Sequence, residues 1–298
     1  MVPYLKTIMV KNVTLVGFEP SSNVAKYSRE YLDKLYLEFF NANSFKKDFG
    51  LKKAKIITAI SMFYDLEDPN QFISDIKELL DPEGIFIIQQ NYLVGMLQQC
   101  AYDNIVHEHL EYYSLLSLEN LLKRHDLEVF DVEERDLNGG SFRTYICHKG
   151  KRPISSAVNK MRATEADLQL DNSKIYKEFT KRVLGNTDKL YNFIISQVRM
   201  GKKIYVYGAS TRGNTLLQAA YLDNKQISAA VERNPDKWGL IMSGTEIPII
   251  SEELARFQKP DYMLVLPWFF KKEFIERETE YLKSGGHLIF PLPTFEVI

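Results

Sequence analysis

Residues 54–89, AKIITAISMFYDLEDPNQFISDIKELLDPEGIFIIQ, decide the fold class of this 298-residue chain. The apolar, β-branched run at 54–60 predicts a central strand, and the run at 85–89 predicts the next strand. Between them, Asp68 and Pro69 predict the start of a helix whose apolar residues recur at helical spacing. Two strands separated by one helix are typical of a parallel sheet with crossover helices.

The same alternation continues in both directions along the chain. Residues 13–18 predict a buried strand, and residues 23–37 predict a helix after it. A polar, helix-prone stretch at 151–200 is followed by a second series of strands and helices. The sequence therefore predicts an α/β protein with two Rossmann-like units joined by a helical connector. The expected boundaries are 1–150, 151–200 and 201–298.

Composition excludes several classes of protein. The chain has 38 Lys+Arg against 39 Asp+Glu, a net charge of −1, which argues against a nucleic-acid binder. Its apolar runs fall short of the ~18–20 residues that a membrane span needs, and its first residues lack the features of a signal peptide. The two cysteines, Cys100 and Cys147, exclude a disulfide framework and a Cys-rich zinc module. We therefore expect a cytoplasmic protein without nucleic-acid or membrane partners.

Three strand ends carry candidate binding residues, because ligands of open parallel sheets bind beyond the carboxyl ends of the strands. Glu19 directly follows the first predicted strand, and its carboxylate can accept hydrogen bonds from ribose hydroxyls. The loop at 61–65 follows the strand at 54–60 and can flank a cofactor. Residues 208–214, GASTRGN, form a Gly-containing turn before a helix, which suits a phosphate. A solvated carboxylate for Glu19, structural packing for the loop at 61–65 and a turn without a ligand for 208–214 remain open as alternatives.

His107, Glu108 and His109 are the densest group of chemically active side chains. Their spacing differs from the H-E-x-x-H zinc motif, so we expect no metal. An imidazole with a pKa of about 6.5 can take a proton near neutral pH, and a neighbouring carboxylate favours the charged form. An extended segment would place the two histidines on one face, whereas the start of a helix would spread all three side chains. Acid–base chemistry and purely structural histidines both remain open on these residues alone.

Longer motifs add a family resemblance. Residues 102–114, YDNIVHEHLEYYS, closely resemble the signature of S-adenosylmethionine-dependent sugar C-methyltransferases, which act on nucleotide-linked keto-deoxysugars. Residues 138–143, NGGSFR, resemble the element that follows it in that family. The resemblance covers nearly the whole chain. Further matching runs are 62–69 (MFYDLEDP), 207–215 (YGASTRGNT), 231–239 (VERNPDKWG) and 266–268 (LPW).

The resemblance implies a methyltransferase sheet of class I followed by a Rossmann-like C-terminal C-methyltransferase domain. It implies His109 as the general base, with Glu108 beside it and His107 in the same catalytic segment. It implies S-adenosylmethionine as methyl donor and a nucleotide-linked sugar as substrate. The implied cofactor-binding residues are Glu19, Ser61, Met62 and Phe63. The implied substrate-binding residues are Asn138, Gly140, Ser141, Arg143, Gly208, Ser210, Thr211, Arg212 and Asn214.

The chain differs from this family on its N-terminal side. Full-length members begin with a cysteine-rich zinc domain and a strand with a Gly-rich donor loop, yet no Gly-x-Gly precedes Glu19 here. We therefore expect a truncated member with an incomplete sheet and weakened binding of the methyl donor. A homo-oligomer or an N-terminal partner chain would complete the sheet. Two alternatives remain: a catalytically impaired relative that binds nucleotide sugars, and one half of a split enzyme. A nicotinamide-dependent reductase is disfavoured, because no G-x-G-x-x-G follows residues 203–207.

Overall fold

The computed structural model describes residues 13–135 and 139–298. The stretch 1–12 and the predicted substrate residue Asn138 lie outside the described residues. The chain divides into two compact units whose segments interleave along the sequence. Of the described residues, 13–90, 116–133 and 143–159 form the first unit, and 91–115, 134–142 and 160–298 form the second. The three sequence domains expected from the motifs remain a prediction.

Two sheets form along residues 13–150. β1 (Val16–Phe18) pairs in parallel with β2 (Lys34–Tyr36), and four further strands have the order β3-β4-β6-β5. Those four are β3 (Ala54–Ile60), β4 (Leu80–Asn91), β5 (Leu127–Arg135) and β6 (Ser141–His148). The helices of this stretch are α1 (Ser22–Ala25), α2 (Ala42–Phe49), α3 (Pro69–Leu79), α4 (Leu93–Gln98) and α5 (Leu115–Lys123).

Helix α3 is confirmed, whereas the helix predicted over residues 23–37 is wrong. Asp68 caps α3 by accepting a hydrogen bond from the Gln71 N–H at 2.9 Å. In the other region the four-residue α1 and a short 3-10 turn give way to strand β2. The ring of Tyr36 stacks on Phe18 with centroids 4.5 Å apart, so cross-strand packing overrides the local helix preference.

Strand β3 is an edge strand rather than the central strand that its apolar sequence predicts. It pairs in parallel with β4, and no other described strand pairs with it. Ile56 on β3 keeps 65% of its surface exposed. The neighbouring Ile57 packs on a small hydrophobic cluster that also receives Val16 and Phe18 of β1. One hydrophobic layer therefore supports both sheets of the first unit, and the outer side of β3 is an open edge among the described strands.

The stretch predicted to be helical between residues 151 and 200 contains α6 (Ser156–Leu168) and α7 (Ser173–Arg199). Leu190 and Ile194 of α7 are buried in the hydrophobic core of the second unit. This helix therefore packs within the second unit.

The second unit carries a six-stranded sheet with the order β12-β11-β10-β7-β8-β9. All neighbouring pairs are parallel except β11 with β12. The strand order reverses between β7 and β10, which is the place where open α/β sheets bind ligands. The strands are β7 (Ile204–Tyr207), β8 (Ala229–Glu232), β9 (Ile249–Ser251), β10 (Tyr262–Val265), β11 (His287–Phe290) and β12 (Glu296–Val297). The helices are α8 (Thr211–Ala219), α9 (Glu252–Gln258), α10 (Lys271–Arg277) and α11 (Thr279–Lys283).

The predicted α/β class with parallel, Rossmann-like sheets is confirmed. Of the helices in residues 13–135 and 139–298, none is both long and apolar enough to cross a membrane.

Candidate active site

The segment 91–115, which contains all three predicted catalytic residues, belongs to the second unit. Its two ends are tied together, since the Leu93 N–H donates to the Tyr113 carbonyl at 2.9 Å. The Tyr92 hydroxyl and the Leu115 N–H both donate to one carboxylate oxygen of Glu165, at 3.0 and 2.6 Å. Glu165 lies on α6 and is only 4% exposed. A single buried carboxylate therefore fixes both ends of the segment.

The middle of the segment is held by Asp103, which is completely buried. The Arg212 Nε donates to its Oδ2 at 2.9 Å, and the Trp268 Nε1 donates to the same oxygen at 3.2 Å. Burial raises the pKa of the Asp103 carboxyl, and the Arg212 guanidinium opposes that rise. Arg212 follows β7 and Trp268 follows β10, so Asp103 lies where the strand order reverses.

His109 follows a tight turn, which is neither of the two conformations considered from the sequence. Its N–H donates to the Val106 carbonyl at 3.1 Å. Its ring Nδ1 lies 2.8 Å from the Asn104 carbonyl oxygen. Because a carbonyl can only accept, Nδ1 carries the hydrogen and Nε2 carries the lone pair. This tautomer presents Nε2 as the basic nitrogen.

The surroundings of His109 keep its ring neutral near pH 7. Burial lowers the pKa of His109 below its ordinary 6.5, and the positive charge of Arg212 lowers it further. The hydrogen bond to Asn104 and the charge of Glu108 act in the opposite direction. A half-buried neutral imidazole can accept a proton from a substrate.

Glu108 and His107 occupy the exposed side of the same turn. One oxygen of Glu108 accepts a hydrogen bond from the Thr211 hydroxyl at 3.1 Å, and the other lies 3.4 Å from the His107 Nδ1. The His107 side chain is 83% exposed. Glu108 therefore links the segment to the first residue of α8, and the Asn104 carbonyl, not a carboxylate, holds Nδ1 of His109.

The predicted cofactor residues lie in the first unit. Glu19 directly follows β1, and its carboxylate accepts a hydrogen bond from the backbone N–H two residues on. Ser61 has a φ of 54°, and its N–H donates to the Gln89 carbonyl at 2.8 Å. Met62 is half-buried and Phe63 is fully buried in the core. A carboxylate at a strand end fits a ribose. Phe63 is buried, so it can only support the loop and cannot contact a ligand itself.

The Gly-Gly-Ser element is close-packed. Gly140 has a φ of 105°, and a Cβ there would lie 3.0 Å from the backbone of Gly95, so glycine is required. Ser141 is buried. Arg143 donates from Nε to the Gln89 side chain at 2.9 Å, at the end of β4. Arg143 thus orders a strand end where polar ligands of such sheets bind.

A cleft of about 420 Å³ lies in the second unit beside the N-terminus of α8. Ser210 caps this helix by accepting from the Gly213 N–H at 3.1 Å, and φ is 93° at Gly208 in the turn before it. The Lys237 Nζ donates to the Ala209 carbonyl at 2.8 Å. The cleft combines polar and apolar walls. Its polar side includes Ser210, Thr211, Asn214 and Lys237, and its apolar side includes Leu240, Ile241 and Met242.

Sequence reasoning missed Lys237 and its neighbour Glu232. Glu232 ends β8, and its carboxylate accepts hydrogen bonds from the N–H groups of Ala209, Arg233 and Asn234. Although burial acts to raise it, these N–H groups hold the pKa of Glu232 below its usual value. Both residues fall in the run VERNPDKWG, and an acidic residue directly after a strand was the available signal.

Among the described residues, no group of three or more His, Cys, Asp and Glu side chains is arranged to hold a metal ion.

Comparisons with known proteins match both halves of the chain to methyltransferase domains. Residues 3–132 match a methyltransferase domain, and residues 136–293 match a C-methyltransferase C-terminal domain. The chain is 32% identical over 291 residues to the C-methyltransferase NovU of Streptomyces niveus, covering 95% of this chain and 68% of NovU. Two solved methyltransferases are also similar. That of Haloferax volcanii bound to its Trm112 activator has a TM-score of 0.39 and 16% identity over 50% of this chain and 78% of that one. The methyltransferase of Aquifex aeolicus has a TM-score of 0.36 and 16% identity, over 49% of this chain and 74% of the Aquifex chain.

The parallel α/β sheets and the two matched domains define an S-adenosylmethionine-dependent methyltransferase. Within that class, the identity to NovU and the match across the C-terminal half show which family the chain belongs to. The chain belongs to the C-methyltransferase family.

Replacing Glu165 with alanine tests how the segment 91–115 is held. The change leaves the Tyr92 hydroxyl and the Leu115 N–H without this buried acceptor, so we expect a loss of about 2–4 kcal/mol in the free energy of unfolding. Urea denaturation measures this loss. The control is Glu178→Ala, an exposed glutamate on α7, which should leave stability unchanged. Equal stabilities for the two variants would contradict the role of Glu165.

Proposed function

We propose that the chain transfers a methyl group from S-adenosylmethionine to a carbon atom of a nucleotide-linked keto-deoxysugar, with His109 as general base. The main support is the ring of His109, which is half-buried, neutral near pH 7 and held through Nδ1 by the Asn104 carbonyl. A base in this state suits removal of a weakly acidic proton from carbon. The resemblance of residues 102–114 to sugar C-methyltransferases supports the choice of substrate.

The chemistry at His109 follows from its tautomer. A keto group acidifies the hydrogen on the adjacent carbon, and Nε2 takes that proton while the electron pair moves into the enolate. The Asn104 carbonyl stabilises the imidazolium that forms, because its hydrogen bond to Nδ1 strengthens as the ring becomes positive. S-adenosylmethionine supplies the methyl group to the same carbon when it is bound. The imidazolium then returns its proton to solvent, which restores the base.

Binding of the methyl donor is assigned to the first unit. Glu19 at the end of β1 would accept hydrogen bonds from the ribose hydroxyls, with Ser61 and Met62 beside the cofactor. Phe63 would support that loop from the core.

Binding of the nucleotide is assigned to the cleft in the second unit. The N-terminus of α8, with Ser210 and Asn214, offers backbone and side-chain groups to a diphosphate, and Lys237 adds a positive charge. The apolar wall of Leu240 and Ile241 would cover the base or the sugar. This assigns the predicted phosphate role to Ser210, Asn214 and the backbone of the 208–214 turn, and extends it to Lys237.

A second part of the proposal concerns the open edge of β3. An apolar strand that pairs on one side only among the described strands, with an exposed Ile56, favours pairing with a strand from another chain. We infer that a second copy of the chain is the simplest source, with an N-terminal partner chain as the alternative.

Replacing His109 with glutamine should reduce methyl transfer by about 10²–10⁴-fold, the usual contribution of a general base. The assay supplies S-adenosylmethionine and a thymidine-diphosphate-linked 4-keto-6-deoxyhexose and detects the methylated sugar by mass spectrometry. The control is His125→Gln, a histidine outside the segment 91–115. Full activity of the His109 variant would refute the base assignment.

The methyl-transfer rate should increase with pH only at acidic values. His109 acts in its neutral form, and burial lowers its pKa, so the ring is already deprotonated at neutral pH. The expected profile falls as pH drops below about 6.5 and is flat above about 7. A rate that still rises steeply between about pH 7 and 8 would show that His109 is protonated in the working enzyme.

Light scattering of the purified chain tests the β3 edge. Self-association predicts a mass of about twice the chain's 34.6 kDa, which Ile56→Lys should reduce to that of one chain because a charge is placed on the pairing edge. Phe257→Lys, at an exposed apolar residue of the second unit, is the control and should leave the mass unchanged. A wild-type mass of one chain would contradict self-association.

A further inference from the structure

The reversal of strand order between β7 and β10 is the place where open α/β sheets bind their ligands. In the second unit this place holds a carboxylate of the chain itself. Asp103 is completely buried there, between Arg212 after β7 and Trp268 after β10. The chain therefore supplies its own anion at the position where many related folds bind a ligand.

The contacts of Asp103 are directional. Both Nε and Nη2 of Arg212 donate to its Oδ2, at 2.9 and 2.5 Å. The Arg212 side chain is only 18% exposed, and its guanidinium lies over the ring of Phe269 at 4.8 Å. A planar guanidinium can make these contacts together, whereas an ammonium group cannot.

The first turn of α8 holds the His109 turn on two sides. Arg212 binds Asp103, and the next residue after Asp103 provides the carbonyl that holds the His109 Nδ1. Thr211 binds Glu108, the residue directly before His109. Movement of Asp103 away from α8 would therefore displace the basic nitrogen.

We propose that Asp103, Arg212 and Trp268 form an internal lock that positions His109, so that Arg212 serves the catalytic segment rather than the phosphates of the substrate. The proposal rests on the proposed function for its kinetic consequences. Recognition of the diphosphate falls to Lys237 and the capped N-terminus of α8, in the cleft beside the lock. Arg212 is a positioning residue in this account.

Hydrogen exchange tests the lock without any substrate. Asp103→Asn keeps the shape of the side chain and removes its charge, and Arg212→Met removes the guanidinium. Amides of residues 102–112 should exchange about tenfold faster in either variant, while those of β7 and β10 keep the wild-type rate. Arg212→Lys retains the positive charge but lacks the paired N–H donors of the guanidinium. Its exchange rate at residues 102–112 should lie between those of wild type and Arg212→Met. Unchanged exchange at 102–112 in both charge-removing variants would overturn the proposal, and faster exchange throughout β7 and β10 would assign the pair a general structural role instead.

Calorimetry with thymidine diphosphate and steady-state kinetics separate positioning from phosphate binding. We expect Arg212→Met to lower kcat about 100-fold, as misplacement of a catalytic group does, with little change in KM or in the Kd of thymidine diphosphate. Lys237→Met is the matched cation variant and should weaken thymidine diphosphate binding. If Arg212→Met weakens thymidine diphosphate binding as much as Lys237→Met does, Arg212 binds the phosphates and the proposal is overturned. If the wild-type chain transfers no methyl group, the proposed function fails, while exchange and thymidine diphosphate binding still decide on the lock.

Discussion

A buried carboxylate needs compensating partners, and Asp103 obtains them from the elements that follow β7 and β10. This requirement determines where the segment 91–115 lies. In sequence the segment lies between β4 and β5, two strands of the four-stranded sheet. It is nevertheless part of the second unit. Without the Arg212 guanidinium, the cost of burying Asp103 would oppose that placement. The position of the candidate base is thus set by an electrostatic constraint.

Around that constraint, the segment is tied at several points by hydrogen bonds. Glu165 binds both of its ends, and Thr211 binds Glu108 near its middle. The chemical state of His109 follows from the same arrangement, because burial favours the neutral ring and the Asn104 carbonyl selects the tautomer. A catalytic histidine normally needs both its geometry and its protonation state fixed before substrate binds. Here the backbone supplies the orienting group that a carboxylate supplies in many other sites.

Much of the fold could be predicted from local pattern. The periodic apolar residues and the Asp-Pro start of α3 gave the correct helix, and the β-branched runs gave β3 and β4. Pairing partners could not be predicted this way, because they depend on distant residues. The stacking of Tyr36 on Phe18 converts a predicted helix into β2, and β3 becomes an edge strand because of what pairs beside it. Similarly, His109 was identifiable as a candidate, whereas the Arg212–Asp103 pair joins residues 109 positions apart and has no local signal.

The most direct test is proton exchange at the substrate carbon in the absence of the methyl donor. A thymidine-diphosphate-linked 4-keto-6-deoxyhexose is incubated with the enzyme in deuterium oxide, and NMR follows the hydrogen next to the keto group. If His109 is the base, the wild-type protein should replace this hydrogen with deuterium well above the uncatalysed rate, and the His109→Gln variant should not. Exchange at equal rates with the two proteins would contradict the assignment of His109 as the base.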